Sequence, residues 1–137
     1  MANEAVCIET PKIIKRYTVT DGVAIPYGTI LAISGGTVSV NVAKATSNTL
    51  NEAFAGIAIE EKTASDGITE IGAAIDGVWD LAQNANGAGT VGTMCCLSGA
   101  NIVRTAAAGD LLTGGLVGKY LETGTAGAAN RVRLGVI

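Results

Sequence analysis

Residues 27–40, YGTILAISGGTVSV, and residues 91–104, VGTMCCLSGANIVR, are two versions of one pattern. Gly28, Thr29, Ser34 and Gly35 recur 64 positions on as Gly92, Thr93, Ser98 and Gly99. Between these anchors Ile30 stands over Met94, Leu31 over Cys95, Ala32 over Cys96 and Ile33 over Leu97, so the apolar character is kept position by position. A second pair of blocks follows in the same order. FAGIAIEEKTA from Phe54 lies over LVGKYLETGTA from Leu116, matching Gly56 with Gly118, Glu60 with Glu122, Thr63 with Thr125 and Ala64 with Ala126. The offset there is 62, which places a short length difference in the intervening loop, where insertions are tolerated. The chain therefore reads as two copies of one β-unit, about residues 22–81 and 86–137.

Each copy reads as a short apolar strand, a Ser-Gly turn, a returning strand, a polar loop and a longer hairpin. Asp66-Gly67 marks the turn of the first hairpin and TGTAGAAN that of the second. After Gly67 the residues Ile71, Ala73, Ile75, Gly77, Trp79 and Leu81 alternate with Gly72, Ala74, Asp76, Val78 and Asp80, which predicts one long strand with an apolar face. The final strand alternates Val132, Leu134 and Val136 against Arg131, Arg133 and Gly135. TSNTLNEAFAG, with Ser47 or Asn48 as N-cap, has room for one helical turn, and no apolar stripe of 3.6-residue period is long enough for a substantial helix. The fold class is all-β: a small β-barrel or sandwich of two pseudo-repeats, residues 17–137, preceded by an extended N-terminal arm, residues 1–16, that ends in the strand KIIKRYTV.

The composition agrees with one domain of this kind. A chain of 137 residues with 48% apolar residues, 19 glycines and 4% aromatics suits tight turns and a core of small and branched side chains. A net charge of −3 gives no basic stripe for a nucleic acid, and the one cationic cluster is Lys12, Lys15 and Arg16. No run of about 18 apolar residues offers a membrane span. The opening residues carry acids where a secretory signal needs bases, so the protein is expected to be made and to stay in the cytosol. Three cysteines, an odd number, fit reduced thiols.

The residue types required for chemistry are sparse. The chain has no histidine, which removes the commonest general base, triad partner and metal ligand. Cys95 and Cys96 are adjacent, so in a strand they project to opposite faces and sit among Met94 and Leu97: packing residues, not a metal or redox pair. Asp76 and Asp80 share a strand face but stand roughly 13 Å apart, too far for a paired-carboxylate mechanism. Glu60 and Glu61 point apart for the same reason as the cysteines. Gly118-Lys119 is followed by Tyr120, which breaks the phosphate-binding loop pattern. Trp79 falls on the apolar face of its strand and reads as core. Neither Lys62 nor Lys119 has the flanking residues of a lipoyl- or biotin-bearing hairpin. No enzyme, cofactor or metal is expected.

GVAIPYGTIL (22–31), FAGIAIEE (54–61), IDGVWDL (75–81) and GDLLTGGLVGKYLETGTAGAANRVRLGVI (109–137) occur in an order that resembles the small Gly/Ala-rich capsid decoration, or cement, proteins of tailed phages, with a looser likeness to the head decoration protein of phage lambda. The likeness runs from about Tyr17 to the C-terminus, and the N-terminal arm and the Met94–Cys96 stretch depart from the pattern. It implies a structural protein of the outer capsid surface, made in the host cytoplasm, that binds the major capsid protein of an expanded icosahedral head and itself, as a homotrimer. The arm would then be free to lie along the shell or a neighbouring subunit, and deleting residues 2–10 would leave the barrel folded. Ile8, Lys12, Ile13, Ile14, Lys15, Arg16, Arg131 and Arg133 are the expected capsid or subunit interface, with no partner in nucleic acid or membrane. The alternative is a carbohydrate-binding or other adhesion module on a virion or cell surface, which would need exposed aromatics.

Overall fold

A computed structural model describes residues 4–34, 36–40, 53–84, 89–106, 114–125 and 127–135. These form strands and no helix: β1 (Val6–Glu9), β2 (Ile14–Val19), β3 (Ile30–Ser34), β4 (Thr37–Val40), β5 (Ala53–Ala58), β6 (Glu70–Ala74), β7 (Val78–Gln83), β8 (Met94–Gly99), β9 (Ile102–Thr105), β10 (Leu116–Tyr120) and β11 (Ala129–Leu134). The proposed helical turn near Ser47 and Asn48 lies outside the described residues, as do Val136 and Ile137.

Strands β2, β4, β3, β5 and β6 close into a barrel in that order. The other sheet runs β1-β7-β11-β10-β8-β9, and a parallel ladder joins the end strand β9 to β7, next to β1, so β7, β9, β8, β10 and β11 pair in the same cycle as the first barrel. The correspondence holds to the residue. Thr18 and Val19 pair in parallel with Thr37 and Val38, and Ala82 and Gln83 pair in parallel with Ile102 and Val103. Leu31 lies opposite Gly56 and Ala32 opposite Phe54, just as Cys95 lies opposite Gly118 and Cys96 opposite Leu116, with one bulged residue skipped in each case. Cys95 and Cys96 thus occupy the strand positions of Leu31 and Ala32.

The shared glycines explain why the sequence repeats where it does. At Gly56 and Gly118 a side chain would run into the backbone of the next strand: a Cβ at Gly56 would lie 2.7 Å from Ala74 O, and one at Gly118 would collide with Arg133 O. Bulges bend the strands enough to close a small cycle, and only glycine fits at the bend. Gly28 and Gly92 take φ of 85° and 89° in the turns before β3 and β8. In each turn the following threonine, Thr29 or Thr93, donates through its hydroxyl at 2.7 Å to the carbonyl three residues back.

Two expectations change. The long alternating run after Gly67 is two strands of two different barrels, β6 and β7, broken at residues 75–77 where Gly77 has φ 93°. Period-two alternation continues across the break because the junction preserves parity. By its pairing β7 belongs to the second copy and matches β2, so the pseudo-repeats phase as residues 14–74 and 78–134, not 22–81 and 86–137. The segment set apart as a free arm is also built in: β1 pairs antiparallel with β7, Ala5 N donates to Gly28 O at 2.8 Å, and residues 14–16 belong to the first barrel. Its apolar residues decide this, since Ala5 is buried and Cys7 packs against the second core.

The first barrel encloses Val19, Ile25, Leu31, Val38, Ala55, Ala58, Ile71 and Ala73. The larger core holds Trp79, Leu81, Cys95, Leu97, Val117, Tyr120 and Val132 of the second copy together with Ile30, Ala32, Ile57 and Ala74 of the first. The outward faces of β3 and β5 are therefore buried against the second copy, and Asn101, in the left-handed region at φ 57°, accepts a buried bond from Ile30 N at 2.9 Å. Asparagine tolerates that backbone, and its side chain supplies a polar strut between the halves.

Candidate functional site

Strands β1, β7 and β11 lie side by side and place their residues in rows. Val6 is opposite Asp80, which is opposite Arg131, and Glu9 is opposite Val78, which is opposite Arg133. Arg131 Nε lies 3.3 Å from Asp80 Oδ1, a half-buried cross-strand pair. A bulge between Cys7 and Glu9 leaves Ile8 unpaired. Val6 and Ile8 on β1, Ile13 in the bend that follows and Ile14 at the start of β2 are 59%, 41%, 54% and 43% exposed, four large apolar side chains open to solvent within nine residues.

The bend from β1 to β2 is held by Asp76, at the junction of the two copies. Its carboxylate accepts from Lys12 N at 2.9 and 3.1 Å and from Ile13 N at 2.9 Å. Alongside runs a shallow groove of about 420 Å³ lined by Glu9, Thr10, Lys12, Val78, Leu121 and Arg133, among others. The fold therefore brings Lys12 and Arg133 to one groove and sets Ile8 and Arg131 on the same three-stranded face. Lys15 and Arg16 stand apart on β2: Lys15 Nζ is 5.9 Å above the ring of Tyr17, and Arg16 pairs with Glu60 at 2.6 Å and Glu70 at 3.4 Å. Asp76, Glu9, Leu121 and Val6 were not expected at the face. The alternation of Val6 with Ile8 was the available signal for Val6, whereas the role of Asp76 depends on where the copies join.

A second, apolar cleft of about 280 Å³ lies where the halves meet, lined by Tyr17, Phe54, Ile75, Leu116, Val117 and neighbours. Trp79 is fully buried and its Nε1 donates to Asp76 O at 3.1 Å, so it is core and presents no stacking face. Cys95 and Cys96 are buried thiols outside any disulfide, and burial pushes the Cys95 thiol up to about 12, leaving no thiolate at neutral pH. Lys62 is buried too, its Nζ donating to Asp21 O, Thr63 O and Asp66 Oδ1 at 2.6, 3.1 and 2.9 Å. Bonds from Ile68 N, from Lys62 and from Thr63 N hold the Asp66 carboxyl at about 2. Among the described residues no group of three or more His, Cys, Asp or Glu side chains is placed to hold a metal ion, and no helix is long and apolar enough to cross a membrane.

Comparison of the chain with protein-family models finds none that matches, and comparison with curated proteins finds no match.

Proposed function

We propose that the protein is a structural component of a virion that binds the outer surface of an expanded icosahedral phage head and stabilises it against the pressure of packaged DNA. The observation that carries this reading is the strip of exposed Val6, Ile8, Ile13 and Ile14, flanked by Lys12, Arg131 and Arg133. Exposed large apolar side chains along one short segment, with cations nearby, have the character of a protein-binding surface. The order of motifs shared with decoration proteins supports the same reading. The partners are the major capsid protein and two further copies of this chain, and the protein acts without cofactor or catalysis.

The physical action is linkage. A protein that binds only the expanded lattice stabilises it by about 2.7 kcal/mol per site at a hundredfold excess over Kd. Many sites on one shell multiply that gain. Because β1 is built into the second sheet, the reading assigns binding to the outward side of β1 and the β1–β2 bend, with no detachable arm.

Co-sedimentation with undecorated shells tests it. Saturable binding to expanded shells and none to compact precursors is expected, with a loss of about tenfold or more for Ile8→Asp combined with Ile13→Asp. Binding to neither form of shell overturns the proposal. The burial of Trp79 removes the main stacking platform that a glycan-binding surface would need.

A further inference from the structure

Strand β7 has neighbours along both edges: β11 on one, and β1 followed by β9 on the other. Its counterpart β2 has β6 on one edge and, on the other, only β4 beside Thr18 and Val19. Among the described residues nothing pairs with the outer edge at residues 14–16. Ile13 O accepts from Ile75 N and Val19 N donates to Thr69 O, so the odd-numbered residues of β2 bond β6. The N–H and C=O groups of Ile14 and Arg16 therefore point to the open edge. Sixty-four positions on, Val78 and Asp80 use the same groups to hold β1.

We propose that this edge is an acceptor site for an extended, acidic segment of a partner protein, which adds to the first barrel as β1 adds to the second. The position is equivalent in register, and the charge is opposite. Where β1 meets Asp80, an incoming strand meets Arg16, which already pairs with Glu60 and Glu70, so the attraction for acidic residues comes from exposed Lys15 beside it and Lys12 just before the edge begins. Exposed Ile14 supplies an apolar contact for alternate residues of the guest. Main-chain bonds provide affinity in such additions, and side chains at every second position provide selectivity. A second copy of this chain is the poorer guest: two β2 edges paired antiparallel about Lys15 set lysine against lysine, the arrangement that blunts edges against self-association. The chain's own β1 is already held by β7 and by the burial of Ala5. The inference does not depend on what the partner assembles into.

The test is amide hydrogen exchange of the intact protein, followed by NMR, with a capped seven-residue peptide that alternates valine and threonine and carries two glutamates. A twin peptide has lysines for the glutamates. Millimolar acidic peptide is expected to slow exchange at Ile14 and Arg16 at least tenfold, to leave Lys15 and Tyr17 unchanged, and to bind at least fivefold more tightly than its twin at low salt. Ile14→Pro removes an outward donor without touching the β6 ladder and is expected to abolish the protection while the Tm stays within a few degrees. No protection at Ile14 and Arg16, protection only along β1, equal binding of the two peptides, or protection that rises with protein concentration alone would each overturn the proposal.

Discussion

The first barrel closes its β5–β6 hairpin with ions and the second closes its β10–β11 hairpin with neutral amides. Buried Lys62 ties Asp66, Asp21 and Thr63 together in the first. In the second, Gln83 Nε2 donates to Thr125 O and Ala128 O, and Asn130 Nδ2 donates to Glu122 O. The strand positions of Gln83 and Asn130 hold Val19 and Ile71 in the first barrel, both apolar and buried. One cycle of ladders thus accepts two different fillings. Glycine turns and bulges specify the backbone in both copies, and what fills and seals each barrel is exchangeable.

The largest test of that comparison attacks what the copies share. Gly56→Ala and Gly118→Ala should each cost more than about 3 kcal/mol, because the new methyl meets backbone that cannot yield. Urea unfolding of both variants measures this, and a mild effect at either position breaks the equivalence. Next come the matched positions with unequal side chains. Leu31→Ala should cost about 3 kcal/mol and Cys95→Ala about 1 kcal/mol, since the two lie opposite equivalent glycines but differ in the volume they vacate. Equal losses would mean that the two cores relax differently.

A smaller effect concerns the strut. Asn101→Gly keeps the left-handed turn but leaves Ile30 N buried and unpaired, at a cost of about 1–2 kcal/mol. The unfolding transitions of the two halves, followed at Trp79 and by amide exchange in β3, should then separate. The smallest effect is a pH response confined to the first barrel. Asp66 titrates at about 2 when folded against 3.8 as its ordinary value, so its contribution is present above about pH 4 and is lost as the pH falls toward 2. Exchange in β5 and β6 should accelerate over that window in the parent, less so in Asp66→Asn, and β10 and β11 should not respond.

Much of the architecture was legible in the sequence because its determinants are local. The pairs Gly28 and Gly92, and Gly56 and Gly118, mark turns and bulges that no other residue accommodates, so they survive divergence of everything around them. The repeat boundary was misplaced because residues 75–77 interrupt a strand without interrupting its alternation. β1 was read as a free arm because its partner β7 is about 70 residues away, and pairing over such a distance leaves no mark on local composition. The site was legible only in part. Ile8, Ile13 and Lys12 are on the exposed face, but the grouping of Lys12 with Arg133, and the fastening of the bend by Asp76, arise from which strands meet.

Strand β1 also sets an order of events. Val6 pairs with Asp80, so this ladder closes a long loop, whereas residues 14–74 contain every strand of the first barrel. Distant pairings form late because chain entropy is lost before the contact is gained. On the ribosome the first barrel can complete itself while β1 waits unpaired until β7, with Trp79 opposite Cys7, has been made and captures it. β1 is therefore a clasp made at the start of the described chain and fastened only after its second half has begun to fold.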